Sequence, residues 1–175
     1  ATLTCNLNTL TINGAGSGAP NLSFNWTASN GGNIVSGGTT PSPSINAPGM
    51  YTLTVTNPAN GCSATDIVEI FNDASAPSAN AGTAPILTCS LTQTMLNATA
   101  STGANFAYNW IASNGGNIFT GPNTLTPSID NPGVYTLSVT NTANGCTRTS
   151  SITVLENIVP PMVDAGANGT LTCII

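Results

Sequence analysis

Residues 48–62 read PGMYTLTVTNPANGC and residues 132–146 read PGVYTLSVTNTANGC. The two copies lie 84 residues apart, and the rest of the chain follows the same offset. Aligning residues 1–84 with 85–168 leaves 37 identical positions, so both halves must adopt one fold. Residues 169–175, GTLTCII, begin the pattern a third time, since Leu171-Thr172-Cys173 matches Leu3-Thr4-Cys5 and Leu87-Thr88-Cys89. The chain therefore reads as a segment of a longer repetitive protein, with units at 1–78 and 79–162 and the start of another at 163–175.

Inside the repeated stretch Tyr51, Leu53 and Val55 alternate with threonines, as Tyr135, Leu137 and Val139 alternate with Thr136, Ser138 and Thr140. Period two gives a strand with one apolar and one hydroxylic face. Pro-Gly sets the turn into this strand and Asn-Gly the turn out of it. Leu22, Phe24 and Trp26 alternate in the same way, and Phe106, Tyr108 and Trp110 repeat them. Shorter strands are expected around Leu3–Leu7, Leu10–Ile12 and Pro43–Ile45, with a last strand ending at Val68–Ile70 or Ile152–Val154. ASNGGNI, at 28–34 and again at 112–118, reads as a tight hairpin. No stretch has a helical period. About seven short strands in fewer than ninety residues favour a β-sandwich, so the expected fold is all-β: two tandem Ig-like sandwiches of 84 residues. Trp26, Tyr51, Leu53, Val55, Trp110, Tyr135, Leu137 and Val139 are the expected core.

Charge is nearly absent. Only 4% of residues are charged, there is no His, and the single basic residue is Arg148, against about 25% charge in ordinary domains. A net charge of −5 makes nucleic acid and anionic membrane surfaces poor partners. No apolar run is long enough to insert in a membrane. The six acids (Asp66, Glu69, Asp73, Asp130, Glu156 and Asp164) never recur at the 84-residue offset. With no His or Lys to act as a base, no catalytic residues are assigned and the chain does not read as an enzyme. No metal or cofactor is assigned; calcium at the linkers, through Asp73 and Glu156, is the weaker alternative, since it would find one carboxylate per linker end where it wants six or more oxygens.

Without Lys the covalent staples must be cysteines. Cys5, Cys62, Cys89, Cys146 and Cys173 alternate at separations of 57 and 27. Two pairings respect the repeat. Cys5–Cys62 and Cys89–Cys146 would close each unit on itself and leave Cys173 for the next repeat. Cys62–Cys89 and Cys146–Cys173 would staple neighbours. The first is favoured because it closes a single domain, and regular disulfides imply an oxidising, extracellular setting.

ANAG at 79–82 and VDAG at 163–166, each leading into a Leu-Thr-Cys, carry a resemblance together with Tyr108-Asn109-Trp110, the GGNI turns and the GxYTLxVTN strands ending in Asn-Gly-Cys. The whole chain resembles the immunoglobulin-like, polycystic-kidney-disease-like repeats of giant cell-surface adhesins and extracellular filaments of Bacteroidota. That resemblance implies a bacterial cell-surface location, type IX secretion through a sorting domain outside this segment, and a structural function. The acidic turn that often follows Trp in such modules is replaced by Thr27-Ala28-Ser29 and Ile111-Ala112-Ser113, so nothing is carried over for it.

Three functions follow. The first is a structural shaft segment that binds other copies of itself, because strand edges bearing Thr, Ser and Asn lack the charges that guard monomers. It would serve shaft assembly and cell-surface attachment or capture. The second is an adhesive module for glycans or another cell's surface proteins. Candidate contact loops are Asn30, Gly31, Gly32 and Asn33, with Asn114, Gly115, Gly116 and Asn117; the exposed aromatics it would need reduce to Phe71 and Phe119. The third is a passive monomeric spacer.

Overall fold

A computed structural model describes residues 1–17, 21–164 and 166. Apart from a 3-10 turn at Thr99–Ser101, every regular element among them is a strand. Each unit has seven strands. Unit 1 comprises β1 (Thr2–Thr4), β2 (Leu10–Thr11), β3 (Ser23–Ser29), β4 (Ile34–Ser36), β5 (Ser44–Ile45), β6 (Gly49–Thr56) and β7 (Ser63–Asp73). Unit 2 repeats them as β8 (Ile86–Thr88), β9 (Thr94–Met95), β10 (Phe106–Ser113), β11 (Ile118–Thr120), β12 (Ser128–Ile129), β13 (Gly133–Asn141) and β14 (Thr147–Asn157). In each unit a four-stranded sheet (β1-β7-β6-β3, or β8-β14-β13-β10) faces a three-stranded one (β2-β5-β4, or β9-β12-β11). These are β-sandwiches of Ig-like design.

The period-two strands bury what their alternation demands. Tyr51, Leu53, Trp26, Ile45 and Ile70 form the core of unit 1 with Leu3 and Ile12, and Val55 packs against them half-buried. Tyr135, Leu137, Val139, Trp110, Ile129 and Val154 form that of unit 2, together with Ala81 from the linker, the stretch 74–85 between β7 and β8. Each indole N–H donates to a loop carbonyl, Trp26 to Thr40 and Trp110 to Thr124, both at 3.1 Å. The Asn-Gly turns are true hairpins joining β6 to β7 and β13 to β14.

The hairpin expected at 28–34 and 112–118 is not one. β3 pairs with β6 while β4 pairs with β5, so this turn carries the chain from one sheet to the other. Tyr51 holds the crossing in place. Its hydroxyl donates to the Ala47 carbonyl (2.6 Å) and accepts the Asn33 N–H (2.9 Å), pinning the turn over the sandwich end. Tyr135 does the same with the Asn131 carbonyl and the Asn117 N–H. Asn30 and Asn114 adopt φ +51 and the following Gly31 and Gly115 φ +90 and +91, a left-handed pair that only Gly and Asn enter readily.

Candidate functional site: the joint between the units

β1 is the element that builds the joint. It pairs parallel to β7, with Thr2 opposite Phe71 and Thr4 opposite Asp73. Cys5 therefore leaves the sheet where β7 ends and the linker begins. Cys62 sits before Ser63 at the start of β7, and eleven strand residues at 3.3 Å each put roughly 35 Å between the two ends. A Cys5–Cys62 bond is excluded by that distance. The observed disulfide is Cys5–Cys146, between the units, with a Cα–Cα distance of 5.0 Å and a separation of 141 residues. Both expected pairings are thus corrected. Cys89–Cys146 fails for the same reason as Cys5–Cys62, since β8 runs parallel to β14 and places Cys89 at the far end of unit 2. Cys62–Cys89 fails because those residues occupy opposite ends of the pair. Both are exposed free thiols, and Cys173 lies outside the described residues.

Around the disulfide the β13–β14 turn of unit 2 docks onto the linker. Asn144 is 2% exposed. Its amide donates to the Asp73 carboxylate and to the Ser75 carbonyl, both at 3.0 Å, and its side-chain oxygen accepts the Cys146 N–H. The Asn6 N–H donates to the Asn144 carbonyl. Asn6 also closes over Gly145, at φ +73, so tightly that a Cβ there would collide with its amide. The Ser75 N–H and the Asn144 amide hold the Asp73 carboxyl below the usual carboxylate range.

The linker itself packs on unit 2. The Ala81 N–H donates to Ser150, the Asn80 N–H donates to Ser101, and the Ser101 hydroxyl returns a bond to the Asn80 carbonyl. Ala81 thereby enters the unit 2 core. The equivalent face of unit 1 is an open groove of about 870 Å³, lined by Gly14, Trp26, Leu53, Val55, Asp66 and Ile70 among others.

The other candidate residues have structural reasons for their identity. A Cβ on Gly32 or Gly116 would lie 3.0 Å from the tyrosine ring, so the identical Asn-Gly-Gly-Asn letters are what this corner requires. Phe71 and Phe119 are exposed, but on strands β7 and β11 rather than on loops. Asp73 spends its carboxylate on Ser75 and Asn144, and among the described residues no group of three or more metal-binding side chains occurs. Sequence reasoning missed Asn144 and Asn6. The parallel placement of β1, which a first strand directly following a linker allows, was the signal that could have found the joint.

No family model and no curated protein matches the chain. Among solved structures it is similar to the PKD domain from the KIAA 1837 protein, at 20% identity and TM-score 0.42, over 53% of this chain and 98% of that one. It is similar to extracellular domains 3–5 of Drosophila OTK, at 14% identity and TM-score 0.41, over 90% of this chain and 59% of that one. The three N-terminal domains of the bacteriophage RB49 highly immunogenic outer capsid protein match at 17% identity and TM-score 0.44, over 85% of this chain and 54% of that one.

Proposed function

We propose that the chain is a structural repeat segment of a large extracellular filament or adhesin, a shaft whose stiffness comes from covalent joints between successive sandwiches. The observation that carries this reading is the Cys5–Cys146 bond, which joins two sandwiches that each have a core of their own. A disulfide inside a sandwich would stabilise that sandwich. One between sandwiches fixes their relative angle, which is what a load-bearing shaft needs and a ligand-binding domain does not. The near absence of charge supports contacts between copies, because few like charges keep uncapped strand edges apart. The resemblance to Bacteroidota surface repeats adds a bacterial cell-surface location and export by the type IX route, with attachment or capture carried out by the assembled shaft.

Light scattering together with electron microscopy of material shed from the cell surface tests this. A stiff multi-chain filament supports the shaft. A thin, freely bending string of single-chain beads overturns it in favour of a passive spacer.

A further inference from the structure

Each sandwich has its first strand lying parallel to its last. Thr2–Thr4 of β1 run beside Phe71–Asp73 of β7, and Ile86–Thr88 of β8 run beside Leu155–Asn157 of β14. A pull along the chain drags the first strand of a unit backwards and its last strand forwards, so the two slide past each other in shear. Three residue pairs resist in each unit, with one further bond in unit 1 from the Phe71 N–H to the Ala1 carbonyl. These short ladders also hold core side chains in place, because β1 contributes Leu3 to the unit 1 core and β8 contributes Leu87 to that of unit 2. On backbone bonds alone, tension would open each sandwich at this point.

The Cys5–Cys146 bond changes the line of force. Cys5 directly follows β1, and Cys146 directly precedes β14. Tension that arrives along Thr2–Thr4 crosses from Cys5 to Cys146 and leaves along Thr147–Asn157. Both stretches are strands, at about 3.3 Å per residue, close to the limit of a drawn-out chain, so they are taut before any load is applied. Residues 6–145 hang between the two sulfurs as a closed loop that carries no tension. In each parallel pair one strand is then loaded while its partner lies in the loop, so neither pair is sheared. The joint is relieved as well, because the linker lies in the loop together with the Asn144 contacts to Asp73 and Ser75 and the Ala81 anchor. Bonds within single units, Cys5–Cys62 and Cys89–Cys146, would have left residues 62–89, the linker included, under load.

We propose that Cys5–Cys146 is a covalent load bypass. It conducts tension past both sandwiches and the joint between them, so that none of the three can be pulled open while the bond is intact. Breaking the bond turns an inextensible pair of units into an extensible one. The proposal rests on the shaft reading for the source of the tension and goes past it, since fixing an angle resists bending whereas a bypass resists stretching. With the bond in place, the chain outside the loop is residues 1–5 and 146–175, 35 residues that reach at most about 120 Å when fully drawn out. Without it all 175 residues can be drawn out, to roughly 600 Å. The separation of 141 residues is thus stored length, about 480 Å of chain that only scission of the bond releases.

Single-molecule stretching of the full chain between its two ends, with free thiols first blocked by iodoacetamide, tests the bypass. The unaltered chain should lengthen to no more than about 120 Å and show no unfolding step before its attachments break. Cys5 is exposed, so Cys5→Ser should leave both sandwiches folded, and its trace should show two steps of roughly 200 Å, one per sandwich. The same two steps should appear when the unaltered chain is stretched in a reducing phosphine, which needs no substitution. Steps of that length in the oxidised, unaltered chain overturn the proposal. So does a reduced chain that withstands the same force without a step, because the ladders would then hold without the bond. Either failure leaves the shaft reading standing, since that reading is decided by the shape of the native filament. A thin, freely bending string of beads whose oxidised chain still refuses to unfold would remove the shaft and leave the bypass.

Discussion

The side-chain amide of Asn144, from the last hairpin of unit 2, donates across the joint to the carboxylate of Asp73, the last residue of β7 in unit 1. A buried amide thus meets a carboxylate that the adjoining Ser75 N–H has already oriented. This contact and the Cys5–Cys146 bond make one object of two sandwiches.

Asn144→Ala removes the acceptor of the buried Cys146 N–H along with both bonds to the linker. Leaving a buried donor unpaired costs about 1–3 kcal/mol. Chemical denaturation should show unit 2 weakened by that amount. Hydrogen exchange should show faster exchange at Cys146, with unit 1 core amides unchanged.

Acid should loosen the joint. The Asp73 carboxyl is held below its ordinary 3.8, chiefly by the Ser75 N–H and then by the Asn144 amide. A depressed folded value contributes stability that is present above 3.8 and is lost as pH falls through the folded value. The protection of the Ser75 amide, measured against its intrinsic exchange rate at each pH, should therefore hold at neutral pH and fall below 3.8. Asp73→Asn should flatten that dependence, since asparagine, the residue at the equivalent position 157, accepts the same bonds without titrating.

Tyr51→Phe and Tyr135→Phe keep the ring and delete the hydroxyl that pins each inter-sheet turn. Burial pushes the Tyr135 phenol up, so it remains a donor at any ordinary pH. Each substitution should destabilise its own unit by about 1–3 kcal/mol, the cost of partly buried groups left unpaired. Measurement by urea unfolding should find the other unit unaffected.

Gly32→Ala tests the same corner from the other side. The new Cβ would lie 3.0 Å from the Tyr51 ring and 3.2 Å from the Ser29 carbonyl. The ring cannot retreat without giving up its hydroxyl bonds, so a loss of about 1–3 kcal/mol is expected from overpacking. Gly16→Ala, with nothing within 4 Å of its Cβ among the described residues, should be neutral and serves as the control in the same unfolding series.

The sandwich was legible because period-two alternation at Tyr51–Val55 and Phe24–Trp26 states which face is buried, and the 84-residue repeat states it twice. The ASNGGNI turn was misread because Gly-Gly serves equally in a hairpin and in a crossing between sheets. The Tyr51 hydroxyl decides between them, and it lies eighteen residues from its partner Asn33. The joint was not legible for a related reason. An exact repeat fixes which pairings are equivalent, and linking the first cysteine of one unit to the second cysteine of the next satisfies it as well as closing one unit does. Strand direction removes the choice: β1 runs parallel to β7 and carries Cys5 to the linker end, away from Cys62.

The central claim is the bond between units, and non-reducing peptide mapping of the monomer, alkylated before digestion, tests it most directly. Closing a loop of 141 residues is worth about 5 kcal/mol in the chain-entropy model, so the bond should persist once formed. The account predicts a Cys5–Cys146 linked peptide, with Cys62 and Cys89 recovered as alkylated thiols. Linked peptides Cys5–Cys62 and Cys89–Cys146 would contradict it, returning each sandwich to a closure of its own and removing the covalent joint from the shaft.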